Sequence, residues 1–104
     1  MLRNKIQEMS KMAEEVFQLT VRFSGQVQGV YFRATTEQVS REFSVTGRVK
    51  NLPDGRVWLF AEGEQSEVEA FFSKFVEVRG RYITETEKEE SLESRQFQDF
   101  SIAY

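Results

Sequence analysis

The segment Gly25-Gln-Val-Gln-Gly-Val-Tyr-Phe-Arg33 sets two glycines ahead of an arginine and contains no acidic side chain. Where such a segment joins a strand to a helix, unpaired backbone N–H groups converge on one point, and the positive end of the helix dipole favours an anion there. Glycine lets the backbone approach a phosphoryl oxygen, and the guanidinium of Arg33, charged at any physiological pH, presents a planar fork to two such oxygens. The expected chemistry is the binding and charge neutralisation of a phosphoryl group. A plainer reading stays open here: glycine turns join strands to helices in proteins of every function, and Arg33 would then be a surface arginine.

What the chain lacks narrows the chemistry further. It has no cysteine, hence no disulfide framework, thiolate nucleophile or cysteine-ligated metal, and no histidine, the commonest general base and zinc ligand. Any reaction must rest on Arg, Lys, Asn, hydroxyls, carboxylates or the backbone. The net charge of −3 disfavours a broad phosphate-backbone footprint, so no nucleic-acid partner is expected, while a small anion at a local positive site remains compatible. Glu85, Glu87, Glu89 and Glu90 read as a solvated face; without histidine or clear convergence they are not expected to hold a metal.

The elements that must carry this loop follow from periodicity. At 104 residues the chain fits one domain, and 39% hydrophobic residues with ten Phe suffice for a core. Phe17, Leu19, Val21 and Phe23 alternate with Gln18, Thr20 and Arg22, which predicts a half-buried strand. After the glycine loop, Phe32, Val39 and Phe43 fit one face of a helix. Val45, Gly47 and Val49, the turn Leu52-Pro-Asp-Gly55, then Val57, Leu59 and Ala61 predict a hairpin. Ser66 with Glu69 forms a capping-box pattern ahead of a helical face of Val68, Phe71, Phe72 and Phe75. Two more strands are expected near residues 81–88 and 97–104, separated by the acidic stretch 89–95. The predicted fold is α+β: a ferredoxin-like βαββαβ sandwich, two helices on one face of a mainly antiparallel sheet, with an added C-terminal strand.

Residues 1–15 read as a flexible or frayed-helical extension and residues 16–104 as the domain. Leu2, Ile6, Met9 and Ala13 make only a thin apolar stripe, and all three methionines (Met1, Met9, Met12) fall here, which leaves the start of translation open among them. Neither an apolar run of about 18 residues nor a secretory leader is visible, so the expectation is a cytoplasmic protein with no membrane partner.

The sequence resembles the acylphosphatase family over residues 16–104. Gly25 to Arg33 match that family's first signature, in outline Gly-x-Val-Gln-Gly-Val-x-Phe-Arg. Gly47-Arg-Val-Lys-Asn51-Leu-Pro-Asp-Gly55-Arg-Val57, with Gly63 beyond, resembles the second, and Phe100-Ser-Ile-Ala-Tyr104 resembles the closing strand. Arg48 stands where the family usually has an aromatic residue, and Ala103 replaces a frequent arginine. At Arg48 the expected effects are a looser wall around Asn51 or added positive charge for the substrate.

The resemblance implies hydrolysis of the carboxyl–phosphate bond of a small-molecule acyl phosphate, without metal or covalent enzyme intermediate; no cofactor is expected, and the chain is expected to be a monomer. Inorganic phosphate would be product and inhibitor. The family's two catalytic residues fall on Arg33 and Asn51, the latter as the group that positions water; from the residues alone, Asn51 reads first as a strand-end residue capping a turn. The implied phosphate-binding set is Gln26, Val27, Gln28, Gly29, Val30, Tyr31, Phe32 and Arg33. Covalent phosphatase loops place a cysteine six positions before the arginine, where this chain has Val27. The alternative is a noncatalytic module that binds a phosphoryl or carbamoyl-phosphate group through the same loop. An RNA-recognition domain shares the element order, but the chain is acidic and its Phe17 to Phe23 strand turns its aromatics to the core.

Overall fold

A computed structural model describes residues 15–29 and 31–104. The expected extension therefore lies outside the described residues except for Glu15, which already opens the first strand. The elements run β1 (Glu15–Gly25), α1 (Phe32–Ser40), β2 (Val45–Asn51), β3 (Val57–Gly63), α2 (Gln65–Arg79), a 3-10 turn (Gly80–Tyr82), β4 (Ile83–Ser94) and β5 (Phe100–Ile102). The sheet order is β4-β1-β3-β2-β5, with every pair antiparallel except β2 and β5. The chain thus has the expected ferredoxin-like α+β fold, extended by β5. No helix among the described residues is long and apolar enough to cross a membrane.

The alternation read in the sequence fixes which face is buried. Phe23 pairs with Val57, Val21 with Leu59 and Leu19 with Ala61, all buried under the helices. Phe32 from α1 and Phe75 from α2 meet edge to face at 4.8 Å, and Phe23 of β1 lies 5.4 and 5.6 Å from them. Each fully buried Phe is worth roughly 2–3 kcal/mol of transfer free energy, enough to anchor the element that carries it. Phe32 is the first residue of α1, so the helix start is the part most firmly fixed. Gly47 lets β2 cross close to β3: a Cβ there would sit 1.8 Å from the Phe60 carbonyl oxygen.

Four local expectations change. α1 ends at Ser40, and the i to i+3 bonds from Arg41, Glu42 and Phe43 N–H tighten the chain into a turn; Phe43 still reaches the core from there, 6.3 Å from Phe71. α2 starts at Gln65 with Glu64 as an N-cap whose side chain makes no capping hydrogen bond, so Ser66 lies inside the helix, and Glu67 instead accepts from the Ser44 N–H. The acidic stretch 89–94 is not a break but the second half of β4, paired with β1 from Ile83–Gly25 to Ser94–Glu15. As an edge strand β4 needs no buried face, and its exposed carboxylates also discourage edge pairing. Finally, Arg48 points away from the helices. It binds Asp99 at 2.8 Å and lies 4.3 Å over the Phe97 ring, on the open side of the sheet.

That open side is organised by Glu62, which is fully buried. Its carboxylate accepts from Gln18 Nε2, Thr46 Oγ1 and the backbone N–H groups of Gln96 and Phe97, so it ties three strands to the connection that delivers β5. Trp58 and Phe60 stack beside it at 6.0 Å, with Phe97 covering Phe60.

Candidate active site

A cavity of about 390 Å³ opens where the loop after β1, the start of α1, the end of β2 and the end of the chain meet. Val27, Gly29, Tyr31, Phe32, Arg33, Ala34, Asn51, Ile102 and Tyr104 line it. Arg33 and Asn51, separated by a whole helix in sequence, are brought together as expected. Val27, Gly29, Tyr31 and Phe32 of the expected phosphate-binding set also reach the cavity. Gln26 is exposed and Gln28 half-buried, neither on the lining, and Val30 lies outside the described residues.

The loop is held at its ends and in its middle. Gly25 adopts φ +124°, and a Cβ there would lie 2.3 Å from the Tyr82 carbonyl oxygen, so only glycine lets the loop leave β1 against the 3-10 turn. In the middle, Gln28 Nε2 donates to the Leu52 carbonyl at 2.9 Å and to the Arg56 carbonyl at 3.0 Å. Both amide protons are thereby spent on the turn that follows Asn51. That turn is closed by the Leu52 N–H to the Arg56 carbonyl at 2.8 Å. Within it the Arg56 backbone N–H, and then its side chain, hold the Asp54 carboxyl below its ordinary pKa.

At the far end Tyr31 is left-handed, φ 58° and ψ 25°, and is followed directly by helical Phe32. A left-handed residue next to a right-handed one turns successive N–H groups to one side, the geometry of an anion nest. α1 carries no acidic residue in its first turn, so nothing on the helix neutralises its positive end. The guanidinium of Arg33 lies 5.1 Å over the Tyr104 ring.

Asn51 closes β2. Its Oδ1 is shut from solvent yet accepts no hydrogen bond from the described residues. Buried amide oxygens are rarely left so, and Asn51 is also one of the residues that line the cavity, so its side-chain amide is a candidate for a water or ligand donor. If Asn51 only capped its turn, Oδ1 would be occupied; the turn is instead closed by backbone and by Gln28.

Ile102 and Tyr104 complete the wall, and the sequence alone did not single them out as site residues. β5 runs parallel to β2 with Ile102 opposite Val49, and the Ala103 N–H donates to the Val49 carbonyl at 2.8 Å. Continuing that register brings Tyr104 level with Asn51. Among the described residues no group of three or more His, Cys, Asp or Glu side chains is arranged to hold a metal.

A family model described as acylphosphatase matches residues 19–102. An acylphosphatase of Marinobacter nauticus is 46% identical over 82 residues, covering 78% of this chain and 89% of that one. One of Archaeoglobus fulgidus is 39% identical over 92 residues, covering 83% and 97%. The crystal structure of acylphosphatase from Bacillus subtilis superposes with a TM-score of 0.76 at 29% identity, covering 85% of this chain and 99% of that one. With a family match over most of its length and curated relatives spanned almost end to end, the chain belongs to the acylphosphatase family.

Proposed function

We propose that this chain hydrolyses acyl phosphates to a carboxylate and inorganic phosphate, with Arg33 and the loop backbone holding the phosphoryl group and Asn51 positioning the attacking water. The observation that carries the reading is that Asn51, whose buried Oδ1 has no hydrogen-bond partner among the described residues, lines the same cavity as Arg33 and the start of α1. The phosphoryl oxygens take the Arg33 fork and the loop N–H groups, which stabilise the charge that builds there in the transition state. A water donates one hydrogen to Asn51 Oδ1 and turns its lone pair to phosphorus. As the new P–O bond forms, the bond from phosphorus to the acyl oxygen breaks and the carboxylate leaves. An amide is no base, so the water's proton passes to a phosphoryl oxygen of the substrate. A carboxylate is a good leaving group, which makes orientation and charge stabilisation sufficient.

The reading includes a cytoplasmic monomer that acts on a small molecule without metal. Purified chain supplied with benzoyl phosphate is expected to turn it over at a rate unchanged by a chelator, with little action on an aryl phosphate monoester. A folded sample that binds phosphate but leaves benzoyl phosphate intact would replace this reading by the noncatalytic binding module.

A further inference from the structure

Tyr31 combines two features that are costly together. Its φ of 58° makes it the one described non-glycine residue in the left-handed region, a conformation that Gly or Asn adopts with less strain, and the residue is 81% exposed. The backbone is explained by the nest and by its carbonyl, which accepts from the Thr35 N–H at 2.9 Å. The ring is not, because it makes no cap hydrogen bond and buries almost nothing against the fold. An aromatic at a strained, exposed position points to something the ring contacts outside the fold.

The cavity indicates what that is. Its polar groups, Arg33, Asn51 and the loop N–H groups, are all assigned to the phosphoryl group and the water under the reading above. The remaining wall is apolar: Tyr31, Ile102 and Tyr104, with Ala34 beside Arg33. Tyr104, 98% exposed, is the second ring at the cavity that adds nothing to the core, and the Arg33 guanidinium already lies over it. Two exposed rings beside a phosphoryl site suit a planar apolar group attached to the phosphate.

We propose that Tyr31, with Tyr104, forms the subsite for the acyl group and makes this chain selective for acyl phosphates bearing an aromatic or comparably large apolar acyl group. The inference rests on acyl-phosphate hydrolysis at this site. Stacking removes both the ring and the acyl group from water, and a methyl group has too little surface to gain from it.

The test is the ratio of kcat/KM for benzoyl phosphate to that for acetyl phosphate, in which any general damage to the loop cancels. Tyr31→Asn keeps a residue that tolerates the left-handed backbone but removes the ring, and should lower the ratio about tenfold from wild type. Tyr31→Phe keeps the ring and should hold the ratio within about twofold. A Tyr31→Asn ratio equal to that of wild type would overturn the subsite while leaving acyl-phosphate hydrolysis standing. Failure of the wild-type chain to turn over either substrate would remove both.

Discussion

Gln28 Nε2 is 2.9 Å from the carbonyl oxygen of Leu52, the residue directly after Asn51, and 3.0 Å from that of Arg56. One side-chain amide thus joins the loop that leads to Arg33 to the turn that ends the Asn51 strand. The two proposed catalytic side chains sit on separate elements, and this clamp is a direct tie between them. Gln28→Ala would leave each carbonyl only its backbone donor, Gly55 N–H at Leu52 and Leu52 N–H at Arg56, and let loop and hairpin drift by a fraction of an ångström. Because misplacement of reacting groups by about 1 Å costs up to about 100-fold, kcat should fall roughly 10- to 100-fold. Thermal unfolding of the same preparation should shift by no more than the loss of two hydrogen bonds, about 1–3 kcal/mol. Steady-state kinetics beside a melt separates the two effects; normal kcat in Gln28→Ala would show that the clamp positions nothing.

Arg33 is expected to anchor the anion. Arg33→Gln should lower turnover about 1,000-fold or more, below measurement, and weaken binding of inorganic phosphate. Arg33→Lys restores charge without the two-pronged fork and should remain about 100-fold impaired. Retained phosphate affinity in Arg33→Gln, read by calorimetry, would assign the anchor elsewhere.

Glu62 is expected to matter to stability and little to chemistry, since it lies on the sheet face opposite the cavity. Glu62→Ala leaves the Gln96 and Phe97 N–H groups without their acceptor and opens a space under the β4–β5 connection. Bonds to a charged acceptor contribute about 1.5–3 kcal/mol each and do not add fully, so a loss of about 3 kcal/mol is expected, or a fall in Tm of at least about 12 °C. An unchanged Tm in a thermal melt would show that the carboxylate does not hold this connection.

The sequence was most legible where burial imposes a period. β1 and β3 are central strands buried on the helix side, so Phe17 to Phe23 and Val57 to Ala61 had to alternate, and Phe32 had to enter the core where α1 begins. The loop and Arg33 could be read because glycine and arginine carry their chemistry in their residue type. Legibility failed where the determinant is a contact between distant residues. β4 continues through Glu89 to Ser94 because β1 supplies its hydrogen bonds, which a charged, exposed edge does not announce. Gln28 looked like part of an anion loop, yet its side chain serves the hairpin. Arg48 has even parity in β2 and so faces away from the cavity; its neighbour in sequence, Val49, is the buried one. Tyr104 reaches Asn51 only through the parallel register of β5, which no local pattern encodes.

Asn51→Ala tests the central claim most directly. A contact that acts on water in the transition state lowers turnover without weakening ground-state binding of the anion, and losing a preorganised polar contact of this kind typically costs about 100- to 1,000-fold. Turnover of benzoyl phosphate, inhibition by inorganic phosphate and thermal unfolding should be measured on one preparation of Asn51→Ala. The account predicts kcat reduced about 100- to 1,000-fold, with phosphate inhibiting at nearly its wild-type concentration and the fold retained. Near-normal turnover in folded Asn51→Ala would contradict it, because water would then be positioned by something other than Asn51.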